Sequence, residues 1–173
     1  IVGPLGRGRL QHTAMWKAAQ PMTKRPIKFA TILPEAIAAS VEDDHYKDPV
    51  ERTWAISNAL NEELSDLADA GCPVIQMEEP QIHMVPARGK TFGKLGVNEL
   101  VEIFNNTVKG LRTKTEVWCH TCWGNPSQQR MFAEVQSYKS ALDLLNKVDA
   151  DVITFESARI SPAPCCPRKT TSL

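Results

Sequence analysis

Apolar residues recur in two rhythms along this chain. One is the three-to-four spacing of a helix with a single buried face. Between Asp48 and Gly71 it runs through Ile56, Leu60, Leu64, Leu67 and Ala68, with Trp54 on the same stripe. Asp48 is placed as N-cap, Pro49 as first helical residue and Glu51 as partner in a capping box, and Gly71 closes the helix. A second helix is predicted after Asn98, which is expected to cap it, with Leu100, Ile103, Phe104, Thr107 and Leu111 facing inward. A third is predicted from Ser127, with Met131, Val135, Tyr138, Leu142 and Leu145 inward. A weaker one spans 10–20 around Met15, Trp16, Ala18 and Ala19 and ends before Pro21.

The other rhythm is the short apolar run bounded by turn residues. Such runs lie at 1–5, 27–33, 73–79, 116–122 and 151–156. Gly6-Arg-Gly8 closes the first, Pro34 the second, Pro80 the third and Gly124-Asn-Pro126 the fourth. Residues 34–40 are alanine-rich. Glu42-Asp-Asp-His45 reads as a solvated acidic loop, and 81–97, with Gly89, Gly93 and Gly96, as a loop without phosphate-loop spacing. Strands alternate with helices, and each strand reads as buried on both faces. That pattern predicts an α/β fold with a parallel sheet. No Gly-x-Gly-x-x-Gly marks a dinucleotide fold.

Composition narrows the classes. A chain of 173 residues suits one domain of ordinary size. Lys plus Arg and Asp plus Glu number 20 each, a net charge of zero, which argues against nucleic-acid or anionic-membrane partners. No apolar run approaches the roughly 18 residues of a membrane helix, and the first residues carry no signal-peptide pattern. Five cysteines, two of them adjacent, do not form a secreted disulfide framework, so a reducing cytoplasm is expected.

The chemistry concentrates in Glu116-Val-Trp-Cys-His-Thr-Cys-Trp-Gly-Asn-Pro126. On a strand, His120 and Cys122 share one face, and Cys119 and Thr121 the other. An imidazole and a thiolate converging at a strand end make half of a tetrahedral zinc site. Two other readings stay open for this stretch. Cys119, His120 and Cys122 are also the kind of small and satisfied residues that fill cores. Cys119-x-x-Cys122 also has redox spacing, but that chemistry needs a helix opening at the first cysteine, and Gly124-Asn-Pro126 interrupts one. No second ligand pair follows at zinc-finger spacing. Glu78 or Glu79 and Glu156 also stand at strand ends. In a (β/α)8 barrel such groups from successive strands face one mouth.

Gly71-Cys-Pro-Val-Ile-Gln-Met-Glu-Glu-Pro80, His120-Thr-Cys122 and Asp149-Ala-Asp-Val-Ile-Thr-Phe-Glu-Ser157 resemble the cobalamin-independent methionine synthase family, especially its single-barrel members. The likeness covers residues 1–159. It implies an α/β fold, a partial (β/α)8 TIM barrel of the methionine synthase/uroporphyrinogen decarboxylase-like type, with about five of roughly eight strands. In the family's order these are the third to seventh, at 1–5, 27–33, 73–79, 116–122 and 151–156. The resemblance implies one zinc ion, held by His120, Cys122 and Glu156 together with a distant cysteine. It implies a methyltransferase of methionine synthesis that acts in the cytoplasm on two small molecules, homocysteine and methyl-folate, with no nucleic-acid or membrane partner. The metal-bound thiol loses its proton and attacks the methyl group, and Glu156 is a ligand able to yield to the substrate sulfur.

Two positions depart from the family. Glu78 stands where an Asp holds the homocysteine ammonium. Glu35, after Thr31-Ile-Leu-Pro34, stands where a Trp stacks on the folate. These changes keep open an alkyl transfer to another thiol, of the coenzyme M type, and an inactive barrel fragment is a further alternative. Residues 160–173 leave the family pattern and read as a disordered tail, in which Cys165 or Cys166 is an alternative fourth ligand. With two open sheet edges and an unfilled interior, the chain alone is expected to be marginally stable and to bind zinc loosely.

Overall fold

A computed structural model describes residues 1–9, 11–89, 91–123 and 137–156. Four strands, β1 (Phe29–Ile32), β2 (Val74–Glu78), β3 (Glu116–Thr121) and β4 (Val152–Phe155), form one sheet in the order β1-β2-β3-β4. All neighbouring pairs are parallel. The order repeats the chain order, as in a stretch of barrel wall. The described α-helices are α1 (His12–Ala19), α2 (Pro34–Ser40), α3 (Pro49–Asp69), α4 (Gln81–Arg88), α5 (Val97–Thr107) and α6 (Leu142–Leu145), with 3-10 turns at Gln20–Met22, Leu111–Thr113 and Lys139–Ala141.

The apolar stripes pack where the periodicity put them. Leu60, Leu64, Leu67 and Ala68 of α3 and Leu100, Ile103 and Phe104 of α5 share one core with Ile75, Met77, Val117 and Cys119 of the sheet. Asp48 caps α3 by accepting from the Val50 N–H at 3.2 Å, and Gly71 follows its end at φ +94°, a conformation glycine adopts without a Cβ penalty. A polar seam locks α3 to α5. The Ser57 and Thr107 hydroxyls lie 2.7 Å apart, and the Asn61 amide donates to the Thr107 and Lys109 carbonyls at 3.0 Å each.

Several expectations are corrected. Residues 1–5 are not a strand. Pro4 offers no donor to a ladder, and the segment bonds instead to the loop before α3: the Asp44 N–H donates to the Ile1 carbonyl and the Leu5 N–H to the Tyr46 hydroxyl. The described strands therefore number four. In that loop Asp43 is not merely solvated: it accepts from the His45 and Tyr46 amides and faces Arg52 at 3.4 Å. Residues 81–88, read as loop, form α4, because Ile82, His83 and Met84 are buried and the Glu79 carboxylate accepts from the Gln81 and Ile82 amides. Pro86 inside the helix hides it from a sequence reading. Helix α5 is capped at Gly96, to whose N–H the Glu99 carboxylate returns at 3.0 Å; Asn98 lies within its first turn. Of the helix expected from Ser127, residues 127–136 fall outside the described region; a 3-10 turn (Lys139–Ala141) leads into the short α6, with Tyr138 and Leu145 buried. The tail at 160–173 also falls outside it.

The sheet is not buried on both faces. Among the described residues helices cover only the face bearing Ile75, Met77, Val117 and Cys119. The opposite face carries Ala30, Ile32, Gln76, Glu78, Trp118, His120, Val152 and Thr154. Ile32 is 49 % exposed there, and the Glu78 and His120 side chains are about a third exposed. No described helix is long and apolar enough to cross a membrane.

Helix α3 also holds a fully buried carboxylate. Glu63 accepts from Arg7 Nε and Nη2 at 3.1 and 3.0 Å and from the His12 N–H at 2.8 Å. Glu63→Ala should lower stability by about 1–2 kcal/mol in urea titration. The value is modest because Arg7, itself partly exposed, keeps its ion pair with Asp66 and its access to water rather than being stranded.

Candidate functional site

Parallel register places the candidate residues. Glu78, His120 and Thr154 stand side by side at the C-terminal ends of β2, β3 and β4. One step further the Glu156 N–H donates to the Thr121 carbonyl at 3.0 Å, which sets Glu156 beside Cys122. The in-out alternation of β3 continues through Trp123, so His120 and half-buried Cys122 share the open face, and Cys119 and Thr121 point into the core. His120, Cys122, Glu156 and Glu78 therefore all belong to one rim.

The His120 ring is oriented from behind. Nδ1 lies 2.7 Å from the Thr154 hydroxyl, which leaves Nε2 facing Glu78 Oε2 at 3.9 Å. Glu78 is held in turn: Gln76 Nε2 donates to its Oε1 at 2.5 Å, and Lys28 Nζ donates to Gln76 Oε1 at 2.6 Å. The Lys28 ammonium sits 4.4 Å from the Trp118 ring centroid, in cation–π range. Glu156 Oε2 accepts from the Trp123 N–H at 2.7 Å.

Beneath the rim lie groups that single-position reading missed. Glu35, from the first turn of α2, and Glu79, which caps α4, are both buried and interact with one another. Neither oxygen of Glu35 nor Oε2 of Glu79 has any other hydrogen-bond partner among the described residues. Burial pushes the Glu35 carboxyl up to about 7, and burial, followed by the charge of Glu35, pushes Glu79 well above the ordinary range. Two buried carboxyls side by side retain a proton, because two bare charges there are too costly. Glu35 was singled out on the sequence only as a substitution, and Glu79 only as one of two adjacent acids. His83 is buried as well, with ring centroids 4.7 Å from Trp123 and 4.6 Å from Tyr138; burial pushes its imidazole down to about 3, so it is neutral. The Tyr138 hydroxyl donates to the Thr121 carbonyl at 3.1 Å, and burial raises its pKa to about 12.

The redox reading finds no support. Cys119 is in the core, and burial, joined by the nearby charges of Glu79, Glu78 and Glu35, raises its thiol well above the usual value. It therefore stays a thiol, and no disulfide occurs among the described cysteines.

The donor types on the rim suit zinc: an imidazole, a thiol and a carboxylate on neighbouring strands. The hydrogen bond behind His120 Nδ1 is the outer-shell arrangement that fixes a ligating ring. Among the described residues, however, no three His, Cys, Asp or Glu side chains are gathered closely enough to form a metal-binding group. Glu156 is turned to the Trp123 amide instead.

Residues 1–163 match the family model described as cobalamin-independent synthase, catalytic domain. Over 162 residues the chain is 26 % identical to a 5-methyltetrahydropteroyltriglutamate–homocysteine methyltransferase of Nitrobacter winogradskyi, covering 92 % of this chain and 19 % of that protein. It is 29 % identical to the chloroplastic enzyme 3 of the same name from Arabidopsis thaliana, with 92 % and 18 % covered. The chain thus spans about a fifth of the length of these relatives. Among solved structures, a B12-independent methionine synthase from Shewanella sp. W3-18-1 superposes with a TM-score of 0.68 at 24 % identity, over 87 % of this chain and 43 % of that one. A putative vitamin-B12 independent methionine synthase from Listeria monocytogenes gives 0.68 at 14 %, over 88 % and 46 %. These two establish the likeness of fold: the four parallel strands form part of a barrel of that kind.

Proposed function

This chain belongs to the family of cobalamin-independent synthase catalytic domains, and from that premise we propose that it serves methyl transfer from 5-methyltetrahydropteroyltriglutamate to the sulfur of homocysteine, giving methionine. In this reading His120, Cys122 and Glu156 hold a zinc ion and Glu78 receives the substrate ammonium. The single observation that supports it best is the His120 ring, tied at Nδ1 to Thr154 and open at Nε2, on a rim shared with Cys122, Glu156 and Glu78.

Zinc, when bound, supplies the Lewis acidity that lets a coordinated thiol lose its proton at neutral pH. The chain's own residues do the rest. Thr154 fixes the imidazole edge, and Glu78 offers one carboxylate oxygen on the open side of the sheet. Neutral His83, Trp123 and Tyr138 pack their rings against one another below the rim. The cytoplasm, where thiols stay reduced, is the compartment that suits this chemistry.

A second reading draws on Glu35. It lies where the family places a folate-stacking Trp, and it is buried against Glu79 rather than offering an aromatic face. That favours alkyl transfer to a thiol from a different donor. Zinc-loaded chain incubated with homocysteine and the methyl-folate should form methionine, followed by mass spectrometry. Methionine formation lost on chelation supports the first reading, and turnover only with another alkyl donor the second. No thiol alkylation with any donor, by a chain that melts cooperatively, would make it an inactive barrel piece.

A further inference from the structure

The line from Lys28 to Glu78 has a fixed polarity. An ammonium only donates hydrogen bonds and a carboxylate only accepts them, whereas a glutamine amide does both. Lys28 Nζ occupies Gln76 Oε1 at 2.6 Å, so the amide nitrogen is turned to Glu78, where it donates to Oε1 at 2.5 Å. Lys28 is itself anchored by the Trp118 face. It lies immediately before β1, with Gln76 and Glu78 on β2 and Trp118 on β3, so three neighbouring segments of the sheet converge on one carboxylate. With Oε1 occupied, Glu78 has one oxygen left for a ligand, Oε2. That oxygen faces His120 Nε2 across 3.9 Å, beyond hydrogen-bond reach and open to the uncovered side of the sheet.

We propose that Lys28 and Gln76 are positioning residues: together they clamp Glu78 so that Oε2 alone is presented to the ammonium group of an amino-acid thiol. The inference rests on the reading of the rim as an amino-acid-thiol site. A glutamate side chain has one more rotatable bond than an aspartate, and the clamp removes that freedom before the ligand arrives. Lys28 acts only through Gln76, so a second donor-only side chain in its place preserves the polarity, and an apolar one lets the amide turn over.

Two measurements on the full chain test this. The first follows solvent exchange of the Gln76 side-chain amide by NMR. Exchange should quicken at least about fivefold in Lys28→Met and stay slow in Lys28→Arg; equal rates in all three proteins would overturn the clamp. The second compares binding of L-homocysteine with 4-sulfanylbutanoate, which lacks the ammonium, by calorimetry. The parent chain should prefer homocysteine by about tenfold, and Lys28→Met and Gln76→Leu should each lose that preference without weakening 4-sulfanylbutanoate. Equal weakening of both thiols, or an unchanged preference, would overturn the positioning role. A parent chain that does not distinguish the thiols would overturn the amino-acid ligand together with the proposed function, and the Gln76 exchange rates would then decide the clamp alone.

Discussion

As the pH is raised from about 4.5 to 8, Glu35→Gln should gain about 3 kcal/mol of stability over the parent chain. The cause is the buried pair Glu35 and Glu79. In the unfolded chain a glutamate ionises at its ordinary value of 4.5, while in the folded chain Glu35 holds its proton up to about 7. Between these values unfolding releases a proton, so stability is complete below 4.5 and falls as pH rises through the folded pKa. Glu79, raised further, carries the fall beyond that point. A glutamine at 35 keeps the shape, retains a carbonyl oxygen toward the protonated Glu79 and never ionises. The difference between the two proteins is the useful quantity, because His83 works in the opposite direction. Its folded pKa of about 3 against an ordinary 6.5 makes stability rise with pH across that interval, equally in both proteins. Urea titrations at half-unit pH steps would measure the difference. A stability gap between the two chains that stays constant with pH would show that Glu35 is already ionised in the fold.

The second large effect concerns metal. If the rim holds zinc as proposed, His120→Ala and Cys122→Ala should each reduce zinc affinity by at least about 100-fold in competition with a chromophoric chelator. Even outer-shell partners are worth about 10- to 100-fold, and a lost ligand costs more. Thr154→Val, which frees His120 Nδ1, should cost about tenfold. Cys119→Ala is the control, since its sulfur is in the core on the other face of the sheet and should leave affinity unchanged. Equal affinity in the parent and in both ligand variants would remove His120 and Cys122 from the metal site.

Local pattern was enough wherever a single element reports on itself. The stripe of α3, the cap at Asp48 and the parity of His120 and Cys122 depend on residues a few positions apart, so periodicity and capping chemistry determine them without the fold. The same logic misread 81–88, because α4 starts on a carboxylate outside its own apolar pattern and contains a proline. It misread 1–5, because an apolar run does not say whether its hydrogen-bond partner is a strand or a loop.

Residues close together along the chain thus suffice for the alternation of strands and helices and for which donors stand at the strand ends. How those donors are held follows from contacts between distant segments. Thr154 reaches His120 from 34 positions away and Lys28 reaches Gln76 from 48, and the charge that adds to burial in raising Glu79 comes from Glu35, beyond the end of a different strand. The physical reason is that a charge's energy and an amide's orientation depend on what surrounds them in three dimensions. Parallel register brings those surroundings together from segments that share no local pattern.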